Sequence, residues 1–266
     1  MPNSKHVIIF GMDGCRPDAL IQAKTPHIDR LICEGAFAPT AQTGVITISG
    51  PGWSDMLTGV WGAKHGVTDN SFEGANYEQY PHLFQRLKEK NPSLVTASIV
   101  NWKPINEQIL RSADHAVGTG SDAKVCEETV RYLQSAAPNV TFLQLDDVDA
   151  AGHKHRYAPD VQGYLDSIAW NDSLIGEIWG AILARTHYAE EDWLILVSTD
   201  HGGTEYGHGQ NIPEHRTIFV IAHYSDGTRL EFPAEVNIVD IPVLVARHLG
   251  VEIDPDWNWD GNLAIA

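Results

Sequence analysis

Apolar residues along the chain gather in short runs that alternate with segments of helical spacing. His6–Phe10 (HVIIF), Leu94–Val100, Thr141–Leu145 (TFLQL), Trp193–Ser198 (WLILVS) and Thr217–His223 (TIFVIAH) each read as a strand buried on both faces. Between them lie helical candidates. Thr25–Glu34 has Thr25 in the capping position and Pro26 at the first helical position. Pro51–Leu57, Tyr80–Lys90 and Ser121–Gln134 follow, the last capped near Ser121; Asp160–Ala184 supports one long amphipathic helix, and Val239–Leu249 is closed by Gly250. Strands that alternate with helices predict an α/β fold with a mostly parallel central sheet and helices on both faces. The segments Gly66–Tyr77 and Asp254–Gly261 are the least regular, and no repeat or long linker divides the chain. Residues 1–266 are therefore expected to form one domain.

Composition narrows the partners. With 43% hydrophobic residues the chain can bury a sizeable core. A net charge of −17 repels a nucleic-acid backbone over most of the surface, so a duplex is not an expected partner. A small anion is still admissible where metal ions reverse the field inside one cleft. Cys15, Cys33 and Cys126 offer no close pair and no disulfide framework. The opening residues run almost directly into a strand pattern, without the charge and apolar stretch of a leader, and no run is long enough to span a bilayer. The expectation is a chain with no membrane association in a reducing cytoplasm. The oligomeric state is not legible.

Carboxylates and histidines collect where the apolar runs stop. Asp13 follows HVIIF, Asp149 and His153 follow TFLQL, and Asp200 and His201 follow WLILVS. In open α/β sheets ligands bind outside the carboxyl ends of strands, so three strands deliver metal-type ligands to one edge. Asp149 and His153 stand four residues apart and can face one ion from a helix or compact loop. His208, flanked by glycines, is a further candidate, and His215 competes for the same role. Together they make two three-ligand sets of mixed oxygen and nitrogen donors, a composition that suits zinc with an open position. Three carboxylates against two divalent ions leave about one net positive charge, suited to a phosphate anion.

The chemistry also needs a nucleophile. Thr47-Ile48-Ser49-Gly50-Pro51-Gly52-Trp53 is a hydroxyl-bearing turn that leads into a helix, where free amides favour an anion. Ser49 can act there as a metal-activated nucleophile, or simply cap the helix. The Gly-x-Ser-x-Gly elbow of a base-activated serine is absent.

This ordered set resembles the alkaline phosphatase superfamily, most closely its nucleotide pyrophosphatase/phosphodiesterase-type branch, from Asp13 to the Val239–Gly250 helix. The resemblance implies an alkaline-phosphatase-like fold and two divalent metal ions, zinc by type. Asp13, Asp200 and His201 would hold the ion that activates Ser49, which would itself be a ligand; Asp149, His153 and His208 would hold the second. Asn70 would donate to a phosphoryl oxygen, together with amides near Gly50. The implied activity is hydrolysis of a phosphodiester or nucleotide pyrophosphate, with a small, nucleotide-like substrate and a covalent phosphoserine on Ser49. A phosphomonoesterase or phosphonate hydrolase could use the same metal core, with Arg16 or Arg216 receiving the extra charge. A metal-binding domain without turnover is the non-enzymatic alternative. A sulfatase is not expected, because Trp53 stands where its arginine would be. Trp53, Trp61, Trp102 and Tyr157 could stack on a base, although core packing accounts for them as well.

Overall fold

The computed structural model describes residues 3–263. Seven strands form one sheet in the order β2 (Ala36–Gln42), β7 (Thr217–Tyr224), β6 (Glu191–Ser198), β1 (Ser4–Met12), β5 (Val140–Leu145), β3 (Thr96–Val100), β4 (His115–Gly118). The block from β6 to β4 is parallel throughout. β7 runs antiparallel to β6, and β2 antiparallel to β7. The mostly parallel α/β fold read from the pattern is the fold found.

The central strands are apolar without alternation because both faces are covered. Val7 and Ile9 of β1 face one core with Leu194 and Leu196, under α3 (Ser49–Thr58), α5 (Leu83–Lys90) and α10 (Ile241–His248). Ile8 and Phe10 face the other with Ile195 and Val197, under α1 (Pro17–Gln22), α2 (Pro26–Glu34), α6 (Asp122–Ser135) and α8 (Gln162–Leu183).

Two strands were not read from the pattern, and both lie at sheet edges. β2 (AFAPTAQ) carries Pro39, a register shift between Ala38 and Ala41, and an exposed centre. β4 (HAVG) alternates half-buried with exposed positions over four residues. Edge strands need no continuous apolar run and tolerate proline. Thr25 does sit at the N-cap of α2, but its hydroxyl bonds Asp29. Asp172 of α8 takes the free amides of His27 and Ile28 instead, at 3.1 and 2.7 Å. α3 starts two residues earlier than expected, so Ser49 lies inside its first turn; Ile48 is the N-cap, and no side chain caps the helix. The predicted terminal helix is a short 3-10 turn (Ile238–Asp240) running into α10, with Gly250 in the left-handed conformation after it.

Candidate active site

The carboxyl ends of β1, β5 and β6 lie side by side in the sheet, and the residues after each converge. Asp13, Asp200 and His201 each offer one ligand-type atom, all within 4.8 Å of one another. His201 Nε2 lies 3.3 Å from Asp200 Oδ2 and 3.7 Å from Asp13 Oδ1. Its Nδ1 lies 2.9 Å from the Gly202 carbonyl, which places the proton there and turns the Nε2 lone pair to the carboxylates. Asp200 Oδ1 accepts the Gly14 N–H at 3.2 Å. Asp13 Oδ1 and Asp200 Oδ2 are buried and have no hydrogen-bond partner. Three acceptors thus meet with no donor between them, an arrangement that is costly unless a cation completes it. Burial, and then the charges of neighbouring aspartates, push Asp13 well above the usual carboxylate range and Asp200 upward with it.

A second set stands beside the first. α7 (Asp147–His155) begins just after β5 and carries Asp149 and His153 one turn apart. Asp149 Oδ2 is 3.3 Å from His153 Nε2, and Oδ1 is 3.7 Å from His208 Nε2. His153 Nδ1 faces the Tyr206 carbonyl and His208 Nδ1 the Thr47 carbonyl, each at 2.9 Å. All three histidines therefore present Nε2 inward, oriented by backbone carbonyls in the way metal-binding imidazoles are. The His201 and His208 rings stack at 3.9 Å, so the two sets adjoin. Tyr157 Oη donates to Asp149 Oδ1 at 2.5 Å. Burial alone would raise Asp149, but His153 and the other two imidazoles outweigh it and hold the carboxyl at about 2. The donor set and its orphaned oxygens fit two divalent ions.

Ser49 Oγ lies 3.4 Å from His201 Nε2, at the edge of the first set. His201 leans on a backbone carbonyl and not on a carboxylate, so no Ser-His-Asp relay is built here. Asn70 Oδ1 accepts the Gly50 N–H at 2.7 Å, which leaves the Asn70 amide nitrogen as a donor beside Ser49. This contact needs glycine: a Cβ on Gly50 would come within 2.6 Å of the Asp69 carbonyl. Of the amides near Gly50 expected to serve substrate, the Gly50 N–H is thus already taken.

Other candidates are committed elsewhere. His215 Nδ1 accepts the Gln210 N–H and its Nε2 pairs with Thr204 Oγ1, so neither nitrogen is free, and the geometry favours His208. Arg16 binds Asp18 and the carbonyls of Tyr157 and Gly203. Arg216 holds the Thr43 carbonyl through Nε and Nη2. Trp53 and Tyr157 are buried, and no helix among the described residues is long and apolar enough to cross a membrane.

Residues 7–135 match the family described as type I phosphodiesterase / nucleotide pyrophosphatase. The chain is 24% identical over 225 residues to bis(5'-adenosyl)-triphosphatase ENPP4 of Bos taurus, covering 75% of this chain and 48% of the relative. It thus spans about half the length of the curated relatives it matches. Murine ectonucleotide pyrophosphatase/phosphodiesterase 5, solved as an inactive variant in complex with AMP, superposes with a TM-score of 0.75 at 14% identity over 98% of both chains. Over residues 7–135 the chain is similar to the type I phosphodiesterase / nucleotide pyrophosphatase family, and its fold is that of the solved ectonucleotide pyrophosphatase/phosphodiesterase structures. A 2-O GAG sulfatase shares the fold with a TM-score of 0.75 at 12% identity, covering 95% of this chain and 72% of that one.

Within this fold the sequence reading missed residues that stand behind the cluster. Gln144 and Trp53 both donate to Asp13, and Tyr157 to Asp149. Gln144 carried a signal that went unused: it is the polar residue inside TFLQL, fully buried, where an amide needs partners. Trp53 and Tyr157 carried none, because a buried aromatic reads as core until its N–H or O–H is located.

Proposed function

We propose that this chain hydrolyses phosphodiesters or nucleotide pyrophosphates through Ser49, with two zinc ions held by Asp13, Asp200 and His201 and by Asp149, His153 and His208. The observation that carries this reading is the meeting of two carboxylate–imidazole sets, the first with two buried carboxylate oxygens that no donor reaches, beside a hydroxyl at a helix start. When bound, the ions supply the positive charge that acidifies a coordinated hydroxyl and the Lewis acidity that stabilises a phosphoryl group. Ser49 Oγ passes its proton to solvent water and bonds to phosphorus, while the P–O bond to the leaving group breaks; an alkoxide leaving group takes a proton back from solvent, and a phosphate leaving group departs as its anion. The Asn70 amide donates to an equatorial oxygen of the transferring group. Water then attacks the phosphoserine, which returns the Ser49 hydroxyl and frees a phosphate monoester.

Two further observations favour a diester over a monoester. Arg16 and Arg216, the cations that could receive a second phosphoryl charge, are occupied with Asp18 and backbone carbonyls. The similarity to a bis(5'-adenosyl)-triphosphatase and the AMP in the related structure support a nucleotide-like substrate. The test is turnover by zinc-loaded protein of an aryl phosphodiester, an aryl phosphomonoester and an aryl sulfate. Diester turnover should dominate and vanish in Ser49→Ala. Preferential monoester turnover would move the assignment to a phosphatase, and no turnover of any ester would remove the enzymatic reading.

A further inference from the structure

The Asp13 carboxylate is gripped by two side chains that the chemistry above does not use. Trp53 Nε1–H and Gln144 Nε2–H both donate to Oδ2, each at 3.0 Å. Both donor residues are wholly buried. The Gln144 amide cannot be turned over, because its Oε1 accepts the backbone N–H of Trp102 at 2.8 Å and a backbone donor has a fixed direction. Its second N–H goes to Asp146 Oδ1 at 2.9 Å. Every polar atom of this amide is thereby paired in a site where an unpaired one would be costly. The indole is given room with equal care: a Cβ on Gly11 of β1 would stand 2.5 Å from the Trp53 ring.

These two grips make the oxygens of Asp13 unequal. Oδ2 is saturated with donors, while Oδ1 has none and faces His201 Nε2 at 3.7 Å. Without the donors, the carboxylate torsion has a broad, roughly two-fold profile and could offer either oxygen. We propose that Trp53 and Gln144 are positioning residues for the ion of Asp13, Asp200 and His201, fixing which Asp13 oxygen meets it and setting that site's affinity. The proposal rests on the two-metal reading above. It also gives Trp53 a role at the place where a sulfatase would carry arginine: it serves the ligand, not the substrate. The second set is an internal control, because Asp149 is held by Tyr157 and its histidines by backbone carbonyls, none of which involves Trp53 or Gln144.

The experiment is calorimetric titration of the metal-free protein with zinc. Asp13→Ala and Asp149→Ala identify which binding step belongs to which set. Gln144→Met and Trp53→Phe should each weaken the Asp13-dependent step by roughly 10- to 100-fold, the usual effect of losing an outer hydrogen bond to a ligand. The Asp149-dependent step should stay within about twofold, a selectivity that general loosening of the fold would not produce. Excess zinc should recover turnover in both variants. An unchanged Asp13-dependent step, or an equal fall in both steps, would overturn the proposal. If Gln144→Met shows no cooperative melt, Trp53→Phe decides alone. Wild-type protein that takes up no zinc would instead defeat the two-metal reading itself.

Discussion

At the scale of single residues, the proposed reaction asks different things of the group that reacts and the groups that hold. Ser49 makes no capping bond and is only 8% exposed, so its hydroxyl has no structural duty beyond its 3.4 Å approach to His201. Ser49→Ala should therefore leave the melting temperature within about 2 °C, since substitutions away from buried networks change stability by only a few tenths of a kcal/mol. Diester turnover should fall by at least about a thousandfold with the nucleophile gone. Zinc content measured on the same sample separates this from loss of an ion. A variant that stays active would place the nucleophile elsewhere. Asn70→Ala tests a different contribution. It removes the amide donor and also frees the Gly50 N–H, which could then turn to substrate. The expected loss is roughly a hundredfold in kcat with a smaller change in KM, as for one transition-state donor. An equal loss in KM alone would mean that Asn70 binds ground state and transition state alike.

At the scale of elements, the question is what places α7 so that Asp149 and His153 meet His208. Asp122, buried at the start of α6, accepts the amides of Asp146 and Asp147 at 2.7 and 2.9 Å, and the side-chain amides of Asn101 and Asn171 at 2.7 and 2.9 Å. One carboxylate thus ties the β5–α7 turn to α6, α8 and the end of β3. Asp122→Ala leaves four donors unsatisfied and should cost about 3 kcal/mol or more, read as a lowered denaturation midpoint. A midpoint shift worth under about 1 kcal/mol would show that water replaces the carboxylate. His82, at the start of α5, gives a pH prediction of defined sign. Burial lowers its pKa from 6.5 to about 4. The unfolded chain then binds a proton that the folded chain refuses, so stability is lost as pH falls from about 6.5 toward 4. His82→Gln should flatten that part of the profile relative to wild type, and an unchanged slope would mean His82 does not contribute to it. The same scale explains what could be read in advance. Central strands such as WLILVS are legible because burial on both faces demands an uninterrupted apolar run. The candidate ligands after them are legible because strand ends are where such residues are useful. β2 and β4 were not, because an edge strand is defined by its neighbour and not by its own pattern. The Asp172 cap, the Asp122 tie and the Gln144 bridge join residues far apart in sequence, and spacing along the chain carries no trace of them.

At the scale of the whole molecule, a chain of net charge −17 gathers three carboxylates into two adjoining sets, of which the Asp13–Asp200 pair is buried. Folding without a counter-charge leaves Asp13 Oδ1 and Asp200 Oδ2 stranded, and self-repulsion of the acidic surface adds to that cost. Ions that bind only the folded form must then stabilise it by mass action. At free zinc about a hundredfold above the dissociation constant, one site contributes about 2.7 kcal/mol. For a chain of this size that should raise the melting temperature by roughly 5–10 °C. The acidic surface can also gather cations without specificity, so the rise alone would not identify the cluster. Magnesium is the control: it is attracted to the same surface, yet it prefers near-octahedral oxygen ligands and retains its waters, and a carboxylate–imidazole set suits it poorly. Wild type should therefore gain with buffered zinc and not with magnesium at equal ionic strength. Asp13→Ala combined with Asp149→Ala should lose the gain, while Ser49→Ala should keep most of it. If the double variant gained as much as wild type, the stabilisation would come from the surface field, and the buried oxygens would have to be neutralised by protons instead. That second outcome carries its own signature. A cluster neutralised by protons releases them as pH rises through its raised pKa values, so the protein would lose stability toward alkaline pH, and added zinc would not prevent that loss.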